Sequence, residues 1–245
     1  MGHHKKKPHP TEPAELAIDR LSAEGRGIGT INGKIVFVDG ALPGEVVRFQ
    51  YTYCSSKRDE GRVVEVIKPS PDRVTPPCAH ANLCGGCSLQ HMAPQAQIDL
   101  KQKVLEEHFR RNGGLAPRAW LEPLTGPVLG YRRRARLGAK YVLKRQEMMV
   151  GFREKRTSFI ADMQQCETMV PEVGHSITAL KGLLDGLSCR DRIPQVQIAQ
   201  GDDATALLFR HLDPLSVDDQ QALLTFCQQH GFHFYLQPGG EHTVH

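Results

Sequence analysis

Between residues 16 and 66 the apolar positions come in short runs cut by glycine-bearing turns. IVFV at 35–38, VVRF at 46–49 and RVVEV at 62–66 read as strands, with turns at Asn32-Gly33, Asp39-Gly40 and Pro43-Gly44. Several short strands at this spacing predict a small antiparallel barrel. The run Gly25-Arg26-Gly27-Ile28-Gly29 is not a dinucleotide fingerprint, because strands follow it where that motif needs a helix. Its glycines suit sharp bends in a barrel. KPSPDRVTPP at 68–77 reads as a linker, and beyond it the period changes. Leu100, Val104, Leu105 and Phe109 form one apolar stripe on a helix predicted over 94–111 and stopped by Gly113-Gly114.

From 129 to 161 the pattern returns to strands, in RRRARLGAKYVLK, MMVGFREK and SFIADM. A helix is predicted over 173–187, then strands over 196–199 and 204–210. Ser216 is placed to cap a helix containing Leu223, Leu224 and Phe226, which Gly231 ends, and 232–236 is a final strand. The fold class expected is therefore α+β, a barrel followed by a mixed domain.

Composition narrows the picture only a little. A chain of 245 residues holds one large or two modest domains. No apolar run is long enough to span a membrane, and MGHHKKKPHPTEP at the start is basic and His- and Pro-rich, unlike a signal peptide. Residues 1–14 are expected to be a disordered tail, and the protein a cytoplasmic monomer with no membrane partner. The net charge of +4 suits a nucleic-acid partner without demanding one.

Cysteine spacing says more. Of seven cysteines, three are packed as Cys78-x₅-Cys84-Gly-Gly-Cys87, in a loop that the glycines allow to wrap tightly. Thiolates this close can converge on one centre, and either zinc or a [4Fe–4S] cluster usually takes a fourth ligand, for which Cys166 is the candidate. Zinc ribbons favour two CxxC pairs and this chain has one such unit, so a cluster is preferred to zinc. An odd cysteine count and no secretion signal argue against a disulfide framework. Cys54, Cys189 and Cys227 stand alone and read as small buried hydrophobes. His80, Gln90 and His91 flank the cysteines and read as supporting or packing residues.

Basic residues suggest a surface. In YRRRARL, strand alternation puts Arg132, Arg134 and Arg136 on one face, a stripe able to track phosphates. Arg153, Lys155 and Arg156 add charge on the next hairpin. Lys57 and Arg58, with Arg62, are the barrel's candidates for RNA contact. No nucleophile–base pair or paired-carboxylate motif stands out.

Together, LSAEGRGIGTINGKIVFVDGALPGEVV, CAHANLCGGCSLQH, YRRRARLG, VGFREKRTSFIAD and QQC resemble, in order, the RNA uracil-C5 methyltransferases of the iron–sulphur type that modify bacterial large-subunit ribosomal RNA. The resemblance implies an OB-like TRAM barrel at 15–70 and a central domain at 71–245. It makes Cys78, Cys84, Cys87 and Cys166 the ligands of a [4Fe–4S] cluster, with ribosomal RNA as partner. Glu167 departs from the family's usual proline. The resemblance also implies that S-adenosylmethionine, the attacking cysteine and the general base belong to a C-terminal Rossmann-like methyltransferase domain missing from this chain. On that expectation the chain cannot methylate alone, its excursion at 91–121 packs on the absent domain, and the stripe from Leu100 to Phe109 is exposed. Two rivals are a freestanding RNA-binding adaptor with a structural zinc and a ferredoxin-like electron carrier, though the latter leaves the arginines unexplained.

Overall fold

The computed structural model describes residues 9–245, so the expectation of a disordered tail lies, for residues 1–8, outside the described residues. The chain divides into two compact units. One comprises the chain up to Pro76 with Ser88–Leu124, and the other Pro77–Cys87 with Thr125–His245.

The first unit holds six strands: β1 (Ala14–Ala17), β2 (Arg20–Leu21), β3 (Gly27–Ile31), β4 (Lys34–Asp39), β5 (Val46–Cys54) and β6 (Arg58–Lys68). Their order is β1-β5-β6-β4-β3-β2, with β4 and β6 parallel and the other pairs antiparallel. Alternation along β4 and β5 turns Val36, Val38, Val47 and Phe49 inward, where they are completely buried. Leu16, Ile18 and Ala41 complete this core. The barrel closes where β1 meets β3. A Cβ on Gly29 would stand 2.3 Å from the Ala17 carbonyl oxygen, so only glycine lets the two backbones approach. Close approach, more than the bending expected from the sequence, explains that glycine.

A buried carboxylate ties the barrel to the segment after β6. Glu45 accepts hydrogen bonds from the Leu42 N–H (2.8 Å) and the Ser70 N–H (3.1 Å), and the Arg73 guanidinium grips it at 2.7 Å. Burial alone would raise its pKa. The Arg73 guanidinium and the two amides outweigh that and hold it below its ordinary 4.5.

Helix α1 (Pro94–His108) opens with Pro94 in its first turn and runs into a wider π turn over Phe109–Gly113. Its start packs beside Leu42, Met92 and Ala96, with Leu100 half-buried against them. Leu105 (45% exposed) and Phe109 (36%) face outward. The exposure expected of the stripe therefore holds at its C-terminal end and not at Leu100.

The second unit is built on β7 (Arg134–Val142), β8 (Glu147–Gly151), β9 (Gln195–Gln200), β10 (Thr205–Arg210) and β11 (Phe232–Gln237), in the order β11-β10-β9-β7-β8. Only β10 and β11 pair in parallel, joined by α4 (Val217–Gln229) as a crossover. The Ser216 hydroxyl accepts the Asp219 N–H and caps α4 as anticipated. The helix expected over 173–187 is broken into α2 (Pro171–Gly174) and α3 (Ile177–Gly186). Leu137, Val150, Val173, Ile177, Leu184, Val196, Leu207 and Leu223 form the core beneath one face of the sheet. SFIADM is not a strand. It contributes a bridge between Ile160 and Arg153, and Ala161 and Met163 point into the core beside β8.

Candidate metal and nucleic-acid site

All four cysteines of the predicted set fall in the second unit. The Cys78–Cys84 loop is a string of tight turns in which the Cys78 carbonyl accepts the Ala81 N–H and the His80 carbonyl accepts the Leu83 and Cys84 N–H groups. It docks on the hairpin after β8. The Gly85 N–H donates to the Arg153 carbonyl (2.9 Å), the Lys155 N–H to the Leu83 carbonyl (2.9 Å), and the Lys155 ammonium to the Ala81 carbonyl (2.6 Å). Lys155 therefore clamps a loop and is not the surface charge that the sequence suggested.

The Cys166 segment belongs to the same core cluster as Cys84. The Cys166 N–H donates to the Gly174 carbonyl (3.0 Å), and the Gln164 N–H donates to the His80 ring (3.2 Å), giving His80 the supporting role expected of it. His91 is half-buried. It lies in the first unit, where its carbonyl accepts the Val74 N–H.

Cys78, Cys84 and Cys166 are buried and Cys87 is half-buried, all as free thiols. Desolvation pushes the Cys78 thiol up, the charges of Cys166 and Cys87 add to it, and backbone N–H groups of His80 and Glu167 oppose it. Desolvation also raises Cys84, with Cys87, Cys166 and Cys78 adding, against the Gly86 N–H 3.3 Å from its sulfur. The buried Thr168 hydroxyl stands 3.5 Å from the Cys166 sulfur and 3.8 Å from that of Cys87. The four thiols are thus near enough to influence one another's charge, and N–H and O–H donors stand beside Cys84, Cys87 and Cys166. Such groups favour thiolate, the form that binds metal, but at Cys78 and Cys84 burial outweighs them. Among the described residues, no three His, Cys, Asp or Glu side chains are grouped as for a single metal ion. The sequence signal missed Thr168, which lies two residues beyond the last cysteine and carries no charge.

The remaining cysteines divide. Cys227 is wholly buried in the core, and burial lifts its thiol to about 12. Cys189 is half-buried, and desolvation, then Asp219, lift it to about 11. Cys54 is half-buried too and is raised by desolvation with help from Asp59.

The three arginines of the predicted stripe differ in exposure at the start of β7. Arg134 and Arg136 lie exposed on the sheet face opposite the core, with the Arg136 Nε donating to Gln197 at 3.2 Å. An open groove of about 700 Å³ runs along this face, bordered by Arg132 and Phe152 as well as Arg134, Arg136, Gln197 and Tyr235. Arg132 is half-buried before the strand begins, and its guanidinium donates to the Gly86 carbonyl (2.9 Å). In the barrel, Lys57 and Arg58 are exposed at the β5–β6 turn, Arg58 beside Glu60 at 3.0 Å.

Comparison with known proteins shows what this chain resembles. Residues 14–64 match the TRAM domain. The chain is 57% identical over 241 residues to the 23S rRNA (uracil(1939)-C(5))-methyltransferase RlmD of Alcanivorax borkumensis, covering 98% of this chain and 54% of that protein. It is 51% identical to the RlmD of Nitrosococcus oceani, covering 100% of this chain and 55% of that protein. In fold it is similar to the tRNA (uracil-54, C5)-methyltransferase of Pyrococcus abyssi, solved with S-adenosyl-L-homocysteine. That match has a TM-score of 0.62 at 18% identity, across 91% of this chain and 50% of that one.

The chain thus spans about half the length of the curated relatives it matches. These matches overturn the expectation that the fold is one with its C-terminal domain missing. They run over 98% of this chain in sequence and 91% in structure, and the end of a matched stretch is no evidence of a lost domain. The expectation that the chain cannot methylate alone rested on that absence and finds no support. Among the described residues, no helix is long and apolar enough to cross a membrane. Over nearly all of its length, the chain is a homologue of the 23S rRNA (uracil-C5)-methyltransferases.

Proposed function

We propose that the protein to which this chain belongs forms 5-methyluridine in 23S ribosomal RNA in the cytoplasm, with S-adenosylmethionine as methyl donor. The observation that carries this reading is the 57% identity to a protein of that name across 98% of the chain. Uracil C5 is a poor nucleophile until a thiolate adds at C6, so such an enzyme must unstack its base and hold it still. The residues described here suit that holding task.

Arg134 and Arg136, with Tyr235 beside them, present guanidinium charge and an aromatic ring on one open sheet face, the combination that grips single-stranded RNA. Lys57 and Arg58 on the barrel are the second contact. Cys78, Cys84, Cys87 and Cys166 would hold a [4Fe–4S] cluster, whose contribution is to fasten a loop to a segment distant in sequence. Mutual influence among the four thiols and the flanking N–H and O–H donors support this ligand set.

The test is transfer of labelled methyl from S-adenosylmethionine to a 23S rRNA fragment by the full-length protein, with iron and sulfide determined on anaerobically purified material. Label in 5-methyluridine and about four iron and four sulfide per chain are expected. Label elsewhere or none would refute the activity, and one zinc without sulfide would refute the cluster.

A further inference from the structure

Arg132 borders the same groove as Arg134 and Arg136, yet it also makes contacts that they do not. Its backbone joins the Cys166 segment. The Arg132 N–H donates to the Thr168 carbonyl (2.8 Å), and the Arg132 carbonyl accepts the Val170 N–H (3.3 Å). Two residues earlier, the Gly130 N–H donates to the Glu167 carbonyl (2.9 Å). Its side chain joins the other half of the site, where the guanidinium donates to the Gly86 carbonyl and lies 5.2 Å from the centre of the Phe152 ring. Gly86 sits between Cys84 and Cys87, and a Cβ there would crowd Phe152 (3.1 Å), the Arg132 guanidinium (3.3 Å) and the Cys84 sulfur (3.3 Å). One residue therefore grips both sequence-distant halves of the cysteine site.

We infer that Arg132 is a positioning residue that locks the Cys84–Cys87 turn onto the Cys166 segment, and that it is not one of the phosphate-tracking arginines. The inference rests on the cluster and RNA-face readings proposed above. A planar, stacked guanidinium hydrogen-bonded to a carbonyl is a task that lysine does not reproduce, whereas a phosphate contact needs mainly charge. Substituting lysine therefore separates the two roles. Because β7 starts two residues on, Arg132 also sets where the exposed arginines begin.

The experiment compares full-length wild type, Arg132→Lys, Arg132→Ala and Arg134→Ala. Two quantities are read: bleaching of the cluster's visible absorbance in air, and the salt dependence of affinity for a fluorescent single-stranded 23S rRNA oligonucleotide. The inference expects both Arg132 variants to bleach several-fold faster at an unchanged salt slope. Arg134→Ala should bleach normally and lose about 0.7 from the slope, the value for one single-strand phosphate contact. If Arg132→Ala instead fails to fold, Arg132→Lys decides alone, and wild-type bleaching in it overturns the inference. Wild-type bleaching with a slope reduced by about 0.7 in Arg132→Ala would also overturn it, leaving the RNA-face reading intact. Wild type without iron, or Arg134→Ala with an unchanged slope, would sink the underlying readings themselves.

Discussion

Two buried polar centres, one in each unit, meet the cost of desolvation in different ways. In the barrel, Glu45 is surrounded by a guanidinium and two amides, and these lower its pKa in spite of burial. In the second unit, Cys78 and Cys84 are also buried, but their chief charged neighbours are other thiols, and their pKa values rise. A carboxylate with its charge balanced inside the protein is a structural joint. Burial leads the rise at both thiols, as it does at the lone Cys227, so what sets the cysteine centre apart is that its neighbours are further thiols and not a countercharge.

That contrast can be broken in order of expected effect. Cys166→Ser should abolish retention of iron and sulfide in purified protein, while the barrel keeps its structure; retained iron would remove Cys166 from the ligand set. Glu45→Gln should do the reverse. It leaves Arg73 without its countercharge and should cost about 3 kcal/mol in urea unfolding, with iron content unchanged. Gly29→Ala forces a methyl against a backbone carbonyl and should cost roughly 1–3 kcal/mol by the same measurement. Wild-type stability there would mean that β1 and β3 separate easily. Ser216→Ala removes a cap far from both centres and should cost about 1 kcal/mol, again without loss of iron.

The two centres should also part in acid. Glu45 has its pKa lowered by folding, so its contribution is complete above its ordinary 4.5 and disappears as pH falls through the lower folded value. Barrel unfolding followed from pH 6 down to about 2 should therefore show a loss in Glu45-containing protein that is absent from Glu45→Gln. Parallel curves for the two would assign acid sensitivity to another group.

Much of this was legible in the sequence for definite reasons. The runs at 35–38 and 46–49 became β4 and β5, because alternation and glycine turns are local signals. Ser216 capped α4 because capping is a matter of one hydroxyl and one amide. Close cysteine spacing marked the loop that meets Cys166. Less visible were features decided by partners far away in the chain. SFIADM has strand composition, and the Ala161 and Met163 N–H groups do reach the Phe152 and Val150 carbonyls, but the pairing amounts to one bridge and not a strand. Arg132 borders one groove with Arg134 and Arg136, but nothing local in the sequence marks its second attachment. Its partner, the Gly86 carbonyl, lies 46 residues upstream. Lys155 was misjudged for the same reason, its ammonium capping a carbonyl 74 residues away.

The separation between Cys87 and Cys166 also has a consequence in time. About eighty residues divide them, spanning β7, β8 and the hairpin that receives the cysteine loop. At a synthesis rate of roughly 5–20 residues per second, the three-cysteine loop leaves the ribosome on the order of 4–16 s before the fourth thiol is made. Throughout that interval the loop lacks Thr168, and for the first half of it Arg132 as well. Oxidation in those seconds would pair thiols that the finished fold keeps apart, so yield under aeration should depend on translation speed before it depends on the stability of the finished protein.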